Sequence, residues 1–334
     1  MSVPRRVLVT GAGGFIGSHL VQRLASLRLE VHALDLRPQV RSVGSHEVKA
    51  HQVDICDAAA VAPVLEGVDT VFHLASLHLE VGADPAAFDA VNVDAAANLV
   101  TLAAERGVRR FVHTSSVGIY GDAGRGLPLR EDAPKHPDSP YERSKLKGER
   151  AVLARAREAG LELIVLRPAW VYGPGCPRTG KLLRSLEKGR FFYIGKGDNL
   201  RHPIYIDEMI DAFTVAGEAS GLNGRIFNVA GPEIMPLREM VETFASGAGL
   251  PRPRLHLPMS LGYLAGWASE VAFHGAGREP PLSRRSLAFF RSNNAWDISA
   301  ARNELGFEPA VDLKEGIRRS LAGATEPPVM MTVK

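Results

Sequence analysis

The chain has 334 residues, of which 45% are hydrophobic and 23% charged, the composition of an ordinary globular protein. Its formal net charge of +3, spread over helical stretches, argues against nucleic acid as a partner. The two cysteines, Cys56 and Cys176, lie far apart and lack CxxC spacing. This argues against a metal site or a disulfide framework and favours the cytoplasm.

The sequence also predicts no membrane span. A strand begins within the first residues, which leaves no room for a signal peptide. The most apolar later stretch, residues 257–277, is interrupted by Ser260, Glu270 and His274 and is too short in apolar length to span a bilayer. We expect an amphipathic helix of a substrate lobe there, with contact to a membrane surface as the alternative.

In the first half, short β-branched runs alternate with longer helical patterns. Strands are predicted at 6–10, 30–34, 47–53, 70–75, 110–115 and 161–167, and helices near 14–27, 57–66, 85–106 and 139–159. This alternation predicts right-handed βαβ crossovers and a parallel sheet covered on both faces.

After Arg167 a run of prolines and glycines breaks the rhythm. Short strands at 203–206 and 225–230 then mix with helices near 207–219, 236–247, 259–273 and 312–322. The predicted fold is an α/β Rossmann doubly wound parallel sheet with a smaller mixed α/β C-terminal lobe. We expect an NAD-binding domain at 1–170 and a substrate lobe at 171–334, with segments at about 201–230 returning to the sheet.

A glycine motif follows the first strand directly. Gly11, Gly14 and Gly17 enter an amphipathic helix, and Phe15 and Ile16, between Gly14 and Gly17, are expected to contact the cofactor with them. Such a turn brings the backbone close to a pyrophosphate and points helix N-terminal amides at that anion. The strand before and the helix after make this a dinucleotide-binding signal and not a chance glycine triplet.

The second predicted strand ends in an acid, Asp35. A carboxylate at this position accepts from the adenosine ribose hydroxyls and repels a 2′-phosphate, which favours NAD over NADP. Arg37 complicates the preference, because its guanidinium could reach such a phosphate. The alternative is that Asp35 is a turn residue ahead of Pro38.

The stretch SPYERSKLKGE, residues 139–149, has the pattern of a helix start. Ser139 is a predicted N-cap, Pro140 occupies the first helical position, and Glu142 completes a capping box. That register places Tyr141 and Lys145 four residues apart on one face. By itself, the pair is either a half-buried aromatic beside a solvated charge or a proton donor beside a tuning cation.

Taken in order, these motifs resemble those of the extended short-chain dehydrogenase/reductases, the NAD-dependent epimerase/dehydratase group. The resemblance covers nearly the whole chain. It is carried by the glycine motif, Asp54-Ile55, HLA at 73–75, TSS with YG, Tyr141-x-x-x-Lys145, LRPAWVYGPG at 166–175, RHPIYIDE at 201–208 and ELGFEP at 304–309.

The resemblance implies further cofactor contacts. Asp54 and Ile55 would lie against the adenine, and Leu74 and Ala75 would line the pyrophosphate and ribose path. Pro168 would pack beside the nicotinamide. Without the resemblance, Leu74 and Ala75 are interpreted as core residues at a strand end.

The resemblance also implies the catalytic set. Ser116 matches the family's catalytic hydroxyl, with Thr114 and Ser115 as competing candidates. Free tyrosine titrates at about 10, too high for a base at neutral pH. We therefore expect Lys145, the nicotinamide and the helix N-terminus to lower the pKa of Tyr141. Lys145 would also bind the nicotinamide ribose.

Two features bear on the reaction. Val117 and Gly118 follow Ser116 where the related 4,6-dehydratases carry an Asp-Glu pair, and the glutamate of the related decarboxylases is also missing, which disfavours elimination. Arg201 matches the arginine that grips a nucleotide diphosphate in sugar-nucleotide epimerases. Its alternative is a surface ion pair with Asp207 or Glu208.

The C-terminal region resembles both generic epimerases and the 3β-hydroxysteroid dehydrogenase or dihydroflavonol reductase branch. Its apolar side chains form either a hydrophobic pocket or ordinary core: Leu261, Tyr263, Leu264, Trp267, Phe289 and Phe290. We expect an epimerase of a nucleotide sugar. The alternatives are a net dehydrogenase of a more apolar alcohol and a non-catalytic NAD sensor. The family further implies a homodimer through the helices near 85–106 and 139–159.

Overall fold

The computed structural model describes residues 5–38, 48–78, 84–122, 124, 126–273 and 287–323. Glu47 of the third predicted strand and His274 of the apolar stretch lie outside these residues. Seven strands form the central sheet: β1 Arg6–Thr10, β2 Glu30–Asp35, β3 Val48–Gln52, β4 Thr70–His73, β5 Arg110–Thr114, β6 Glu162–Pro168 and β11 Ile226–Val229. The six strands predicted in the first half are confirmed.

The sheet order is β11-β6-β5-β4-β1-β2-β3, and every neighbouring pair is parallel. The order reverses between β1 and β4, so their carboxyl ends border the crevice in which doubly wound folds bind ligands. This confirms the predicted Rossmann class. The last strand of the sheet, β11, comes from the second half of the chain and extends β6.

Alternating side chains of the strands are buried on both faces of the sheet. On β1, Val7 and Val9 pack into one core and Leu8 into the other. On β6, Ile164 faces the first core and Val165 the second. Because successive side chains point to opposite faces, the continuous apolar runs of these strands require helices on both sides.

Eleven α-helices are assigned within the described residues: α1 Phe15–Ser26, α2 Ala58–Val61, α3 Pro85–Asp89, α4 Ala96–Glu105, α5 Pro140–Ala159, α6 Pro177–Glu187, α7 Ile206–Glu218, α8 Leu237–Gly247, α9 Met259–Phe273, α10 Ala288–Arg291 and α11 Leu313–Gly323. Side chains of α1 and α7 fill one core, and those of α4 and α5 fill the other. None of these helices is both long and apolar enough to cross a bilayer.

The second half contains short strands that the sequence pattern did not reveal: β7 Trp170–Tyr172, β8 Tyr193–Ile194, β9 Leu200–Arg201, β12 Met235–Pro236 and β13 His256–Leu257. With β10 Pro203–Tyr205 they form three separate two-stranded sheets. Two- and three-residue strands are too short to show a period in sequence. The division into two domains stays a prediction.

The predicted start of α5 is confirmed. The Ser139 hydroxyl accepts from the Glu142 amide at 3.2 Å, and the Glu142 carboxylate accepts from the Ser139 amide at 2.9 Å. Pro140 is the first helical residue, and Gly160 ends the helix in a left-handed conformation. These caps satisfy the orphan backbone groups at both ends and set the register of Tyr141 and Lys145.

Helix α9 contradicts both sequence interpretations of its apolar residues. Leu261, Tyr263, Leu264 and Trp267 neither join the core nor line an enclosed pocket, because all four are exposed. The buried positions of the helix are Gly262 and Gly266. Hydrophobicity alone does not say which face of a nearly all-apolar helix meets the protein.

A buried ion pair joins α5 to the sheet. The Arg167 guanidinium donates to both Glu149 carboxylate oxygens, at 2.9 and 2.6 Å, and the two side chains are 1% and 4% exposed. Arg167 also donates to the Tyr120 hydroxyl at 2.6 Å and to the Glu131 carbonyl at 2.8 Å. Tyr120 in turn donates to Asn228 of β11. This network ties α5, β6, β11 and the loop after β5 together.

Replacing Glu149 by Gln should destabilise the protein by about 3–5 kcal/mol, because the Arg167 charge would stay buried without its counter-ion. The control is Glu158→Gln on the same helix, which breaks the exposed Arg155–Glu158 pair and should cost less than about 1 kcal/mol. Urea unfolding followed by circular dichroism measures both. Equal losses for the two variants would contradict the prediction.

Candidate active site

The predicted site residues meet at the carboxyl edge of the sheet. The glycine turn follows β1, Asp35 ends β2, Leu74 and Ala75 follow β4, Ser116 lies two residues beyond β5, and Pro168 ends β6. Parallel strands end at the same edge, so residues far apart in sequence line one crevice. The first two turns of α5 add Tyr141 and Lys145.

The glycine turn is packed against its neighbours with no room for side chains. Gly11 has a φ of +70°, and a β-carbon there would lie 2.6 Å from the Ala75 amide nitrogen. A β-carbon on Gly17 would overlap the Gly11 carbonyl, and one on Gly13 would overlap the Arg37 carbonyl. Sequence reasoning missed Gly13, which falls between the spaced glycines of the motif.

Asp35 connects this turn to the end of β2. Its carboxylate accepts from the Gly13 amide at 3.0 Å and from the Arg37 amide at 2.9 Å. It is thus a turn residue, as the alternative interpretation held. Each carboxylate oxygen has a second lone pair, so the same side chain can still accept from ribose hydroxyls.

Thr10, the last residue of β1, stabilises the turn by hydrogen bonds. Its hydroxyl lies 2.8 Å from Nδ1 of His73 and accepts from the Ala75 amide at 3.2 Å. Burial, with a smaller contribution from the Lys145 charge, lowers the pKa of His73 to about 3. His73 is therefore neutral at physiological pH and serves as a buried hydrogen-bonding partner of the turn.

These features fit a dinucleotide. Helix α1 begins at Gly14 without a side-chain cap, so no side chain competes for its first amides. Uncapped helix amides and the positive end of the helix dipole bind phosphate. The glycines allow the turn to pack closely on the strand ends beside it, and Asp35 lies at the end of the adjacent strand.

The other predicted cofactor residues lie around this cradle. Asp54 is exposed, and its carboxylate accepts from the Cys56 amide at 2.9 Å. Ile55 and Leu74 are half-buried and pack on the two cores. Phe15 and Ile16 are likewise half-buried against the core at the start of α1. Their contacts with the cofactor stay predictions.

The structure brings Tyr141, Ser116 and Lys145 to the same edge of the sheet, and each has different hydrogen-bond partners; their catalytic roles stay predictions. Ser116 caps the short 3₁₀ turn Val117–Tyr120 and accepts from the Gly118 amide at 3.0 Å. Lys145 is 4% exposed and donates to the Thr114 carbonyl at 2.5 Å. Burial lowers the pKa of Lys145 to about 8, against the opposing effect of Glu149 one turn later.

The pKa of Tyr141 lies above its ordinary value, not below it. Burial raises it to about 12, and the Arg178 charge and hydrogen bonding from the Ser116 and Ser76 hydroxyls only partly offset this. The lowering expected from the sequence is therefore not achieved by the protein's own groups. The role of Lys145 as the tuning cation stays a prediction.

The sequence did not reveal a hydrogen-bond network beside Tyr141. Asn92, in a π-helical turn between α3 and α4, accepts from the Ser76 hydroxyl and the Leu77 amide, both at 2.9 Å. It donates to the Ser144 hydroxyl at 2.8 Å, and Ser144 donates to the Tyr141 carbonyl at 2.7 Å. The loop after β4 and the start of α5 are thus held together.

Two further residues beside Tyr141 were also missed. The ring of His78 packs edge-on to the Tyr141 ring at 4.5 Å between centroids. The Arg178 guanidinium lies 2.9 Å from Nε2 of His78 and exerts the largest single lowering effect on the pKa of Tyr141. Arg178 comes from the first turn of α6, in a stretch where the sequence showed only helix breakers.

Arg201 is buried and not at the surface. It is 3% exposed and donates to backbone carbonyls of Leu200, Phe289 and Ser292. Within the described part of the chain it forms no ion pair, and its Nε has no hydrogen-bond partner. Glu208, a predicted partner, instead accepts from amides of the segment before α11. Burial lowers the pKa of Arg201 to about 10.

The doubly wound sheet with a glycine turn after its first strand is typical of dinucleotide-dependent oxidoreductases and isomerases. A profile of the NAD dependent epimerase/dehydratase family matches residues 7–230. The chain belongs to this family. Its cofactor is NAD.

Similar proteins cover almost the whole chain. A UDP-glucose 4-epimerase of Mycolicibacterium smegmatis is 33% identical over 95% of this chain and 97% of its own. A 2-alkyl-3-oxoalkanoate reductase of Stenotrophomonas maltophilia is 29% identical over 96% and 99%. The structure of MoeE5 in complex with UDP-glucose and NAD superposes with a TM-score of 0.74, at 27% identity, over 96% of this chain and 98% of that one.

Gly13→Ala should destabilise the protein by about 1–3 kcal/mol, since its new methyl group would overlap the Arg37 backbone. Gly14→Ala is the matched control. Its β-carbon would lie 3.1 Å from the Gly11 carbonyl, so the cost should be below about 1 kcal/mol. Thermal unfolding without added NAD compares the two, and a larger loss for Gly14→Ala would contradict the prediction.

Arg178→Met should move the acidic limb of the kcat/KM profile to higher pH by about half a unit. Arg178 favours the phenolate of Tyr141, so its removal raises that pKa and delays formation of the base. Lys181→Met, an exposed lysine on the same helix, is the control and should leave the profile in place. An unshifted limb in Arg178→Met would show that this charge does not act on the tyrosine.

Proposed function

We propose that the protein epimerises a secondary hydroxyl of a nucleotide-diphosphate sugar through a transient keto intermediate. The observation that carries the substrate class is Arg201, a buried guanidinium without an ionic partner among the described residues. A buried charge is costly unless it is paired. A diphosphate supplies the missing anion in the geometry that a guanidinium fork recognises.

Tyr141 and Ser116 act on the reacting hydroxyl. The phenolate of Tyr141 takes the hydroxyl proton, and the Ser116 hydroxyl holds the same oxygen in line. Bound NAD would supply the hydride acceptor for the carbinol carbon and return the same hydride to the opposite face of the ketone, so the full cycle would show no net NADH. Tyr141 returns the proton to the sugar oxygen when the ketone is reduced, which regenerates the starting state of the enzyme.

Arg178 and Lys145 tune this proton transfer. Arg178 contacts His78, whose ring packs on Tyr141, and the Arg178 charge favours the phenolate. Lys145 stands one turn behind Tyr141 and carries the second cation of the site. We expect Lys145 to bind the nicotinamide ribose. This contact would fix the position of the cofactor relative to Tyr141.

Elimination chemistry is less well supported. Glu142 is the carboxylate beside the turn that Ser116 caps. Its side chain packs against Gly118, where an added β-carbon would lie 3.2 Å from the Glu142 γ-carbon. One of its oxygens is already engaged in the capping box of α5. Val117 and Gly118 occupy the positions of the dehydratase acid pair and provide no replacement.

Net dehydrogenation of an apolar alcohol is the second candidate. The relationship to a 2-alkyl-3-oxoalkanoate reductase favours it, and so do the half-buried Phe289, which lies beside Arg201, and Phe290, which packs on Phe289. However, Leu264 and Trp267 of α9, expected to complete an apolar pocket, are exposed.

The test is incubation of the purified protein and NAD with a panel of UDP-, GDP- and dTDP-sugars and hydroxysteroids, followed by mass spectrometry, NMR of the sugars and absorbance at the NADH band. We expect an isomerised nucleotide sugar without net NADH. Stoichiometric NADH with a hydroxysteroid would replace the proposal by the second candidate, and no turnover with bound NAD would favour an NAD sensor.

Two variants sharpen the test. Tyr141→Phe should lose turnover by about two orders of magnitude or more while NAD binding is kept. Arg201→Met should raise KM for a nucleotide sugar, with NAD affinity unchanged. An Arg201→Met variant with wild-type KM would remove the argument for a diphosphate.

A further inference from the structure

Helix α9 presents its large apolar side chains to solvent. Four of them are at least half exposed: Leu261 at 50%, Leu264 at 59%, Trp267 at 53% and Val271 at 57%. Glu270 is the one charged residue among the fifteen of the helix. Large apolar residues are ordinarily enclosed, and a contiguous exposed patch marks an interaction surface.

The way in which α9 is mounted explains this exposure. Gly262 and Gly266, one turn apart, are its buried positions. A β-carbon on Gly262 would lie 2.5 Å from Cγ2 of Ile194 in β8, so only glycine lets the helix approach this strand. The helix rests on its smallest residues, which turns its largest ones outward.

The neighbouring segments are basic. β13 pairs with β8 directly before α9 begins, which brings residues 187–198 and 250–273 together. They contain five exposed basic residues, which we call the basic rim: Lys188, Arg190, Lys196, Arg252 and Arg254. One of them, Arg252, lies 3.6 Å from the Glu242 carboxylate. The same segments contain three acids, so they account for a net +2 of the chain's +3. Leu255, 57% exposed, extends the apolar surface between these charges.

This combination identifies the occupant by its chemistry. An apolar helix face joined through β13 to segments that carry these cations complements an anionic lipid surface, whose headgroups would meet the cations while the acyl region takes the apolar side chains. Trp267 and Tyr263 are residue types enriched at that interface. A second copy of the chain fits less well, because a two-fold contact would set the basic rim against itself.

We infer that α9, with Leu255 and the basic rim, docks the protein on the surface of an anionic lipid bilayer. The helix lies in the interface and does not cross it. This inference goes beyond the proposed epimerase activity and does not depend on it.

The docking helix is connected to the substrate side of the active site. Arg291 donates to the Tyr263 hydroxyl of α9 at 3.1 Å and lies 3.7 Å from the Asp122 carboxylate. Asp122 follows the 3₁₀ turn that Ser116 caps. These contacts link α9 to the loop after β5, which contains Ser116 and its 3₁₀ turn.

The experiment is flotation of the full-length protein with vesicles of phosphatidylcholine alone and of phosphatidylcholine with phosphatidylglycerol. We expect co-flotation with the anionic vesicles, weakened by salt, and a shift of tryptophan fluorescence to shorter wavelength. Leu264→Asp should weaken vesicle binding about tenfold or more. Leu27→Asp, at an exposed leucine after α1, is the control and should bind vesicles like the wild type.

NAD binding by both variants establishes that they are folded. Failure of the wild type to float with anionic vesicles would overturn the inference, as would equal binding by Leu264→Asp. Light scattering after size-exclusion chromatography tests whether a second copy of the chain occupies the surface instead. If Leu264→Asp lowers the mass of the assembly without changing vesicle binding, the surface is an interface between copies of this chain.

Discussion

Arg167 and Glu149 form a buried ion pair between α5 and β6, and the placement of the candidate site residues Tyr141 and Lys145 depends on it. Glu149 lies one turn after Lys145 on α5, and Arg167 directly precedes Pro168 at the end of β6. The pair therefore sets the distance between the helix that carries Tyr141 and the strand end beside it. Two enclosed charges can be accommodated only in good mutual geometry, so this distance is tightly constrained.

The same constraint reaches the second half of the chain. Arg167 donates to Tyr120, and Tyr120 donates to Asn228 of β11. Asn228 also donates to the carbonyls of Leu129 and Asp297. A single buried polar network thus connects the nucleotide-binding sheet, the loop that holds Ser116 and the segment before α11. Because Arg167, Tyr120 and Asn228 are buried, a loss at one of them leaves unsatisfied groups at the others.

A second constraint operates at the glycine turn, where backbone approaches backbone. Asp35 holds Gly13 by a hydrogen bond, and Thr10 holds the amide of Ala75. The turn is therefore prepared for an anion by contacts within the protein. Around Tyr141 the preparation is incomplete, since burial raises its pKa to about 12 and Arg178 only partly offsets this. A positive charge brought by the cofactor would act in the required direction.

Most of the fold could be predicted from the sequence. The strands of the first half are buried on both faces and leave continuous β-branched runs, and the helices between them have caps or apolar stripes. The candidate site residues could be placed because they follow strand ends or start helices. Gly13, Asn92, His78 and Arg178 could not, since each acquires its role through a neighbour at least 15 residues away in the chain.

Helix α9 shows the limit most clearly. The sequence determined that it is a helix and that it is almost entirely apolar, because both properties are local. Which face it buries was decided by the tertiary structure, where the approach to Ile194 admits only glycine and turns the leucines and Trp267 outward. The same division holds for the site. The sequence by itself determined the nucleotide-binding class and the order of its motifs, whereas the charges that act on Tyr141 depend on distances that only the folded chain sets.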